Sequence, residues 1–238
     1  MTLSLVIPTL NEEKCLPKLL ESITEQTSLP DELIIVDAES TDKTRQLITN
    51  FSAIKTIIVN SSPKNSIAKA RQLGSMAAKG DVIAGTDADC KLASNWVELV
   101  KKIFTENPNT VAVFGPAGLY EPMPFLKKLF LKYADDLGIF LNYYILHRPS
   151  MTGRNFAVRQ EAFLKIGGFN EKLFTHEDYD LGDRLAKIGK VFFTPRLKVE
   201  TSSRRAKENY KTILSRNLGN SIIFLIKHEA PKNFPAIR

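Results

Sequence analysis

Apolar residues occur in short compact runs, separated by polar turns and by stretches where they recur at helical spacing. Residues 3–7 form the first run, closed by Pro8; beyond Asn11, Glu12 and Glu13, the positions Leu16, Leu19, Leu20 and Ile23 fall on one helix face. This predicts strand, turn, helix. After Pro30, residues 33–36 predict a second buried strand ending in Asp37, and Ser40, Thr41 and Asp42 open a helix through Leu47 and Ile48. Residues 56–59 predict a third strand, 67–78 an alanine-rich helix and 82–86 a fourth strand introduced by Gly80 and Asp81. A helix over 95–104, with Trp96, Val97, Leu99, Val100 and Ile103 on its apolar face, and a strand over 111–114 continue the series. Alternating strand and helix imply an α/β fold with a mostly parallel central sheet and helices on both faces.

Beyond residue 115 the alternation lapses. Residues 123–146 are long, apolar and aromatic, but Lys127, Lys128, Lys132, Asp135 and Asp136 interrupt them and exclude a lipid-spanning helix; one or two amphipathic helices are expected. A strand over 150–159, a short helix over 161–166, a turn at 167–170, a helix over 178–188 and a strand over 191–194 follow, then an amphipathic helix over 206–228. The expected organisation is one domain over 1–203, in halves of 1–115 and 116–203, with a basic amphipathic tail over 204–238.

With 238 residues, 43% of them hydrophobic and 25% charged, the chain is ordinary globular material with enough apolar residues for a sizeable core. Cys15 and Cys90 lie far apart and form no C-x-x-C, which suggests neither a disulfide framework nor a structural zinc site and fits a reducing cytosolic setting. The first residues lack the basic flank and cleavage site of a signal peptide, and no apolar run reaches the roughly 18 residues that span a bilayer. Residues 196–238 hold ten Lys and Arg against three Asp and Glu, so this C-terminal stretch carries the whole net charge of +7. Nucleic acid, an anionic membrane surface, an acidic partner and a solvated helix face are all readings of such a segment. We keep the membrane surface as a partner of the tail and expect no nucleic acid.

The fourth predicted strand ends in Asp87-Ala88-Asp89. In an open α/β sheet ligands bind at the C-terminal strand ends, and two carboxylates one residue apart form a hard-oxygen clamp for Mg²⁺ or Mn²⁺ shared with substrate phosphates. A solvated Asp-rich turn is the competing reading. The first two strands end in Pro8, Thr9, Asn11 and Glu12 and in Asp37, Glu39 and Ser40, so neighbouring strands would line one nucleotide-sized crevice. There a carboxylate can accept from base or ribose groups while a metal holds the diphosphate; Asp37 is otherwise a helix cap. No G-x-x-x-x-G-K-[ST] or early G-x-G-x-x-G is present, so phosphate binding rests on metal and basic side chains, with Arg71 the preferred contact for its bidentate fork. In the second half, Glu177 and Asp178 sit side by side before a helical pattern. Closing one of two adjacent carboxylates in a pocket raises its pKa and makes a general base, whereas a plain N-cap explains Asp178 equally well from local sequence. Asp180 and Arg184 read as a helix-face ion pair.

Taken together, VIPTLNEE at 6–13, IIVDAESTD at 34–42, DAD at 87–89, GGFNE at 167–171 and HEDYDLGDRL at 176–185 resemble glycosyltransferase family 2 in order and spacing, over roughly residues 1–200. The resemblance implies a GT-A fold, with a Rossmann-like nucleotide-binding half at 1–115 and an acceptor-binding half at 116–203. It implies an inverting, metal-dependent transfer from a UDP- or GDP-sugar to a hydroxyl of a glycan, lipid-linked or protein acceptor. Pro8, Thr9 and Glu12 would flank the nucleotide, Asp37 would contact the base, Asp87 the ribose or metal-bound diphosphate, and Asp89 the metal. Asp178 would be the catalytic base, and Arg154, in the loop 153–155, would lie near the sugar and diphosphate. Many relatives carry a metal-ligating histidine after the strand that follows the catalytic helix; residues 197–205 have none, leaving Glu200, water or diphosphate to complete the shell, or Arg204 and Arg205 to bind the diphosphate directly. Two rivals remain: a sugar-nucleotide nucleotidyltransferase, which would normally carry an early Gly-rich phosphate loop, and an idle membrane- or partner-binding module, against which Asp37, Asp87, Asp89 and Asp178 together argue. The expected location is cytoplasmic, peripheral at the inner membrane face.

Overall fold

The computed structural model describes residues 1–62, 64–120, 139–145, 147–149 and 151–204, with Pro124 and Leu129. The expected helix over 206–228 and most of the expected helical stretch 123–146 lie outside the described residues. Of the latter, Leu141–Ile145 form a π-helical turn.

Seven strands make the central sheet. In chain order they are β1 (Leu3–Thr9), β2 (Glu32–Asp37), β3 (Thr56–Asn60), β4 (Val82–Gly85), β6 (Thr110–Phe114), β8 (Phe156–Arg159) and β9 (Lys190–Phe193). Their spatial order is β3-β2-β1-β4-β8-β6-β9, and every pairing is parallel except those of β8 with β4 and with β6. Helices α1 (Leu16–Thr24), α2 (Thr44–Asn50), α3 (Ile67–Ala77), α4 (Trp96–Glu106), α5 (Gln160–Lys165) and α6 (Glu177–Ala186) connect them.

Side chains along a strand alternate between faces, and the two halves of the core follow that period. Leu3, Leu5 and Ile7 of β1, Leu33 and Ile35 of β2 and Val82 and Ala84 of β4 pack with α1 and α4; Val6, Ile34, Val36 and Ile83 point the other way, toward α3, α5 and α6. Both faces are covered, which is why these strands are mostly apolar on both sides; the buried Ser4 hydroxyl is satisfied by Glu32. Helix α3 lies close on β1 and β2 because Gly74 leaves room: a Cβ there would meet Val6 and Val36.

Parallel pairing of β1 with β2 and β4 places Thr9, Asp37 and the residues after Gly85 on one edge of the sheet. The reversed strand β8 starts where β4 and β6 end, with Phe156 opposite both Gly85 and Phe114. Residues 153–155 therefore reach the same edge from the second half of the chain. A small second sheet, β5 (Cys90–Leu92), β10 (Val199–Thr201) and β7 (Ala117–Leu119), brings residues 202–204 to it as well.

The structure corrects several expected boundaries. The first strand runs through Pro8 to Thr9; at this position the missing N–H costs only one bond at the strand end, where Ala38 donates to the Thr9 carbonyl. The expected strand over 150–159 contracts to β8, because Asn155 N–H closes a turn on the Thr152 carbonyl. The helix expected over 178–188 begins at Glu177, after His176 adopts a left-handed conformation with φ 61°. Strands β5, β7 and β10 were not expected at all.

Candidate donor and acceptor crevice

Two guanidinium groups organise the edge. Arg71, buried in α3, sends Nη2 to Asp87 Oδ1 at 2.5 Å and Nη1 to Glu177 Oε1. Gly153 makes space for it, since a Cβ there would run into the guanidinium. The Gly153 N–H in turn donates to Asp178 Oδ2 at 2.6 Å. One buried cation thus joins the carboxylate at the end of β4 to the Glu-Asp pair that opens α6, in which Glu177 lies 106 positions beyond Arg71. The second cation is Arg204. Its Nη1 lies 2.7 Å from Glu12 Oε2, while Nη2 lies 2.5 Å from Glu12 Oε1 and 3.2 Å from Asp89 Oδ2.

Asp89 is 4% exposed, and its Oδ1 accepts from Thr201 Oγ1 at 3.2 Å. Beside it the Cys90 thiol is pushed up to about 12 by burial and by the charges of Asp87 and Asp89, which makes it an inert packing group. Asp37 is buried under the end of β2: Oδ2 accepts from the Ser40 N–H at 3.2 Å and pairs with Arg45 Nε at 3.2 Å, whereas Oδ1 has no hydrogen-bond partner among the described residues. Thr9 stands in register with Asp37 and is buried, its hydroxyl donating to the Val36 carbonyl. Pro8 is buried beside it. The Arg154 carbonyl accepts from Thr86 Oγ1 at 3.0 Å, and its side-chain charge reaches Cys90.

The neighbouring carboxylates Glu177 and Asp178 have separate environments. Glu177 is buried, and desolvation, reinforced by the Asp178 charge and opposed by Arg71, pushes its carboxyl up to about 7. Asp178 is half-buried and sits inside the helix, held by the N–H groups of Gly153 and Tyr179. The capping position belongs to His176. Asp180 and Arg184 form the expected ion pair at 2.7 Å.

From the sequence, Arg71 is a phosphate or nucleotide contact only, Gly153 is part of the loop near the sugar and diphosphate, and Glu177 has no task apart from its neighbour Asp178. Asn155, expected only as part of the loop 153–155, holds that loop in place: its carboxamide accepts from Trp96 Nε1 and donates to the carbonyls of Pro116 and Leu197, fixing the stretch that carries Gly153 and Arg154. No local sequence signal marks such a contact. Asp87 and Asp89 offer the hard oxygens that a divalent cation shared with phosphates requires, and both face guanidinium groups, which marks them as oxygens that need positive charge nearby. Among the described residues no cluster of three His, Cys, Asp or Glu forms a ready-made cage, so substrate oxygens and water would complete such a shell.

A family model described as glycosyl transferase family 2 matches residues 4–167. A curated relative from Haemophilus influenzae, described as an uncharacterized glycosyltransferase, is 29% identical over 197 residues, covering 81% of this chain and 64% of that protein. Among solved structures, S. aureus TarS 1-349 in complex with UDP-GlcNAc matches with a TM-score of 0.69 at 17% identity, over 86% of this chain and 59% of that one. The mannosyltransferase PcManGT from Pyrobaculum calidifontis, in complex with GDP-Man and Mn²⁺, matches with a TM-score of 0.70 at 20% identity, over 96% of this chain and 65% of that one. The chain spans less than two thirds of the length of these proteins.

Proposed function

Because the chain belongs to glycosyltransferase family 2 and has the GT-A fold, we propose that it transfers a sugar, with inversion, from a UDP- or GDP-sugar to an acceptor hydroxyl. The observation that carries this reading is the bridge through Arg71, which sets Asp87 and the Glu177-Asp178 pair on one crevice. Asp37 Oδ1, buried and without a partner among the described residues, suits an N–H of the base, with Pro8 and Thr9 beside it. A divalent ion, Mn²⁺ or Mg²⁺, held by Asp87 and Asp89 would supply positive charge to the departing diphosphate. Arg71 and Arg154 add fixed cations on that side. Asp178, oriented by Gly153 and Tyr179, takes the proton of the acceptor hydroxyl as its oxygen attacks the anomeric carbon; the bond from that carbon to the phosphate oxygen breaks on the opposite face, and the diphosphate leaves with the electron pair. The full chain incubated with UDP- and GDP-sugars and Mn²⁺ should release nucleoside diphosphate slowly to water. Asp178→Asn should keep nucleotide binding but slow transfer by about 10²–10⁴-fold. Transfer within a few-fold of the parent would reduce Asp178 to a structural role.

No helix of the described residues is long and apolar enough to cross a membrane. A peripheral position at an anionic surface, presenting a lipid-linked or membrane-embedded acceptor, is supported by the basic tail and by Phe140, Leu141, Tyr144 and Ile145, all exposed around the π-helical turn. Sedimentation with liposomes of rising anionic lipid content should carry the chain into the pellet at low salt, and less so at physiological salt. A chain that stays in the supernatant throughout points to a soluble acceptor.

A further inference from the structure

An arginine from the chain just beyond β10 already engages the site. Arg204 is bidentate on Glu12, and its Nη2 is shared with Asp89 Oδ2, so one corner of the guanidinium sits between two carboxylates. Burying carboxylates without compensation is costly, and Glu12 and Asp89 are both largely shielded from water. The backbone that delivers Arg204 is tied to Asp89 itself. The Ser202 N–H donates to the Asp89 carbonyl at 2.9 Å, Thr201 Oγ1 donates to Asp89 Oδ1, and Thr201 stands opposite Cys90 in the small sheet. The Arg204 N–H is held by Ser202 Oγ. The side chain, by contrast, is 38% exposed, and the hydrogen bonds that anchor the backbone do not involve its guanidinium.

We propose that Arg204 is the resident cation of the donor site: it competes with a divalent metal for Asp89, and it yields that carboxylate when the diphosphate of a nucleotide offers its guanidinium another anion. The inference rests on the donor-site reading above. Its physical basis is that a metal ion arriving alone at Asp89 Oδ2 meets a positive charge already within 3.2 Å of that oxygen. A metal arriving with a diphosphate brings the anion that draws the guanidinium away, since a guanidinium fork fits phosphate oxygens as well as carboxylate oxygens. Bare metal is therefore bound weakly, and metal and nucleotide bind as a mutually dependent pair. Arg204 also gives the site a hold on diphosphate when no metal is present.

The test measures binding, not turnover. Free Mn²⁺ is followed by electron paramagnetic resonance during titration of the full chain without nucleotide, in the parent, Arg204→Gln, Asp89→Ala and the double variant. Arg204→Gln should bind Mn²⁺ about tenfold tighter than the parent, and the gain should vanish in the double variant. In EDTA, calorimetry with UDP and GDP should show the opposite sign, with Arg204→Gln about tenfold weaker for the nucleotide that binds. Arg204→Lys, which keeps the charge but not the fork, should fall between parent and Gln in both titrations, and it carries the test if the Gln variant does not fold. Mn²⁺ affinity that is unchanged or lower in the variants, including no binding in any of them, overturns the inference. Failure of every variant and the parent to bind nucleotide would sink the donor-site reading while the Mn²⁺ titration still judges Arg204.

Discussion

At the residue scale, the adjacent carboxylates Glu177 and Asp178 divide two tasks. Asp178 faces the crevice on two backbone N–H bonds, while Glu177 turns inward to Arg71 and is buried. Burial lifts Glu177 from an ordinary value of 4.5 to about 7, so the fold favours its protonated form. Its contribution to stability is therefore complete below about pH 4.5 and is lost as pH rises through about 7. Glu177→Gln is neutral at every pH and still offers Arg71 an acceptor. Urea unfolding of parent and variant at about pH 5 and about pH 8 should show the difference in stability moving in favour of the variant at the higher pH, by at most about 3 kcal/mol. Parallel pH dependences would mean that Arg71 holds Glu177 ionised throughout. The residues themselves were legible in the sequence, since Asp37, Asp87, Asp89 and Asp178 stand at strand ends or a helix start. Their partners were not, because Arg71 reaches Glu177 across 106 positions and Arg204 reaches Glu12 across 192.

At the scale of elements, what could be read depended on where each strand gets its stability. Strands β1, β2, β4 and β6 are buried and apolar, so their own residues announce them. Strands β5, β7 and β10 have three residues each, too few for a period to show, and exist because β10 pairs with both of the others. Yet this small sheet carries Asp89 and Arg204 to each other. The loop before β8 is a similar case. Met151 and Phe156 read as parts of one strand, but the three carboxamide bonds of Asn155 fold residues 152–155 into a turn, and those partners come from α4, from β7's approach and from the chain before β10. Local propensity decided the regular layers, whereas tertiary hydrogen bonds decided the crevice that uses them.

At the scale of the whole molecule, the sequence halves are not separable units. Strand β8 of the second half stands between β4 and β6 of the first, and β6 takes its other partner, β9, from the second half too. One face of the core mixes Val6, Ile34 and Val36 with Phe156, Phe163, Phe169 and Leu181. A fragment of residues 1–115 would leave β6 without either neighbour and expose much of that face, so we expect it not to fold, while the full chain unfolds in a single transition. Trp96, the chain's one tryptophan, is a probe placed at the seam: it is fully buried on α4, and its Nε1 donates to Asn155 of the second half at 2.9 Å. Fluorescence of Trp96 and far-ultraviolet circular dichroism should therefore report one denaturation midpoint in urea, and both should shift together when a nucleoside diphosphate with Mn²⁺ is added, because a ligand that binds only the native state stabilises everything that melts with its site. If Trp96 loses its environment before the bulk of the secondary structure, or if the 1–115 fragment shows a cooperative transition of its own, the halves fold independently and the donor crevice is assembled by docking them.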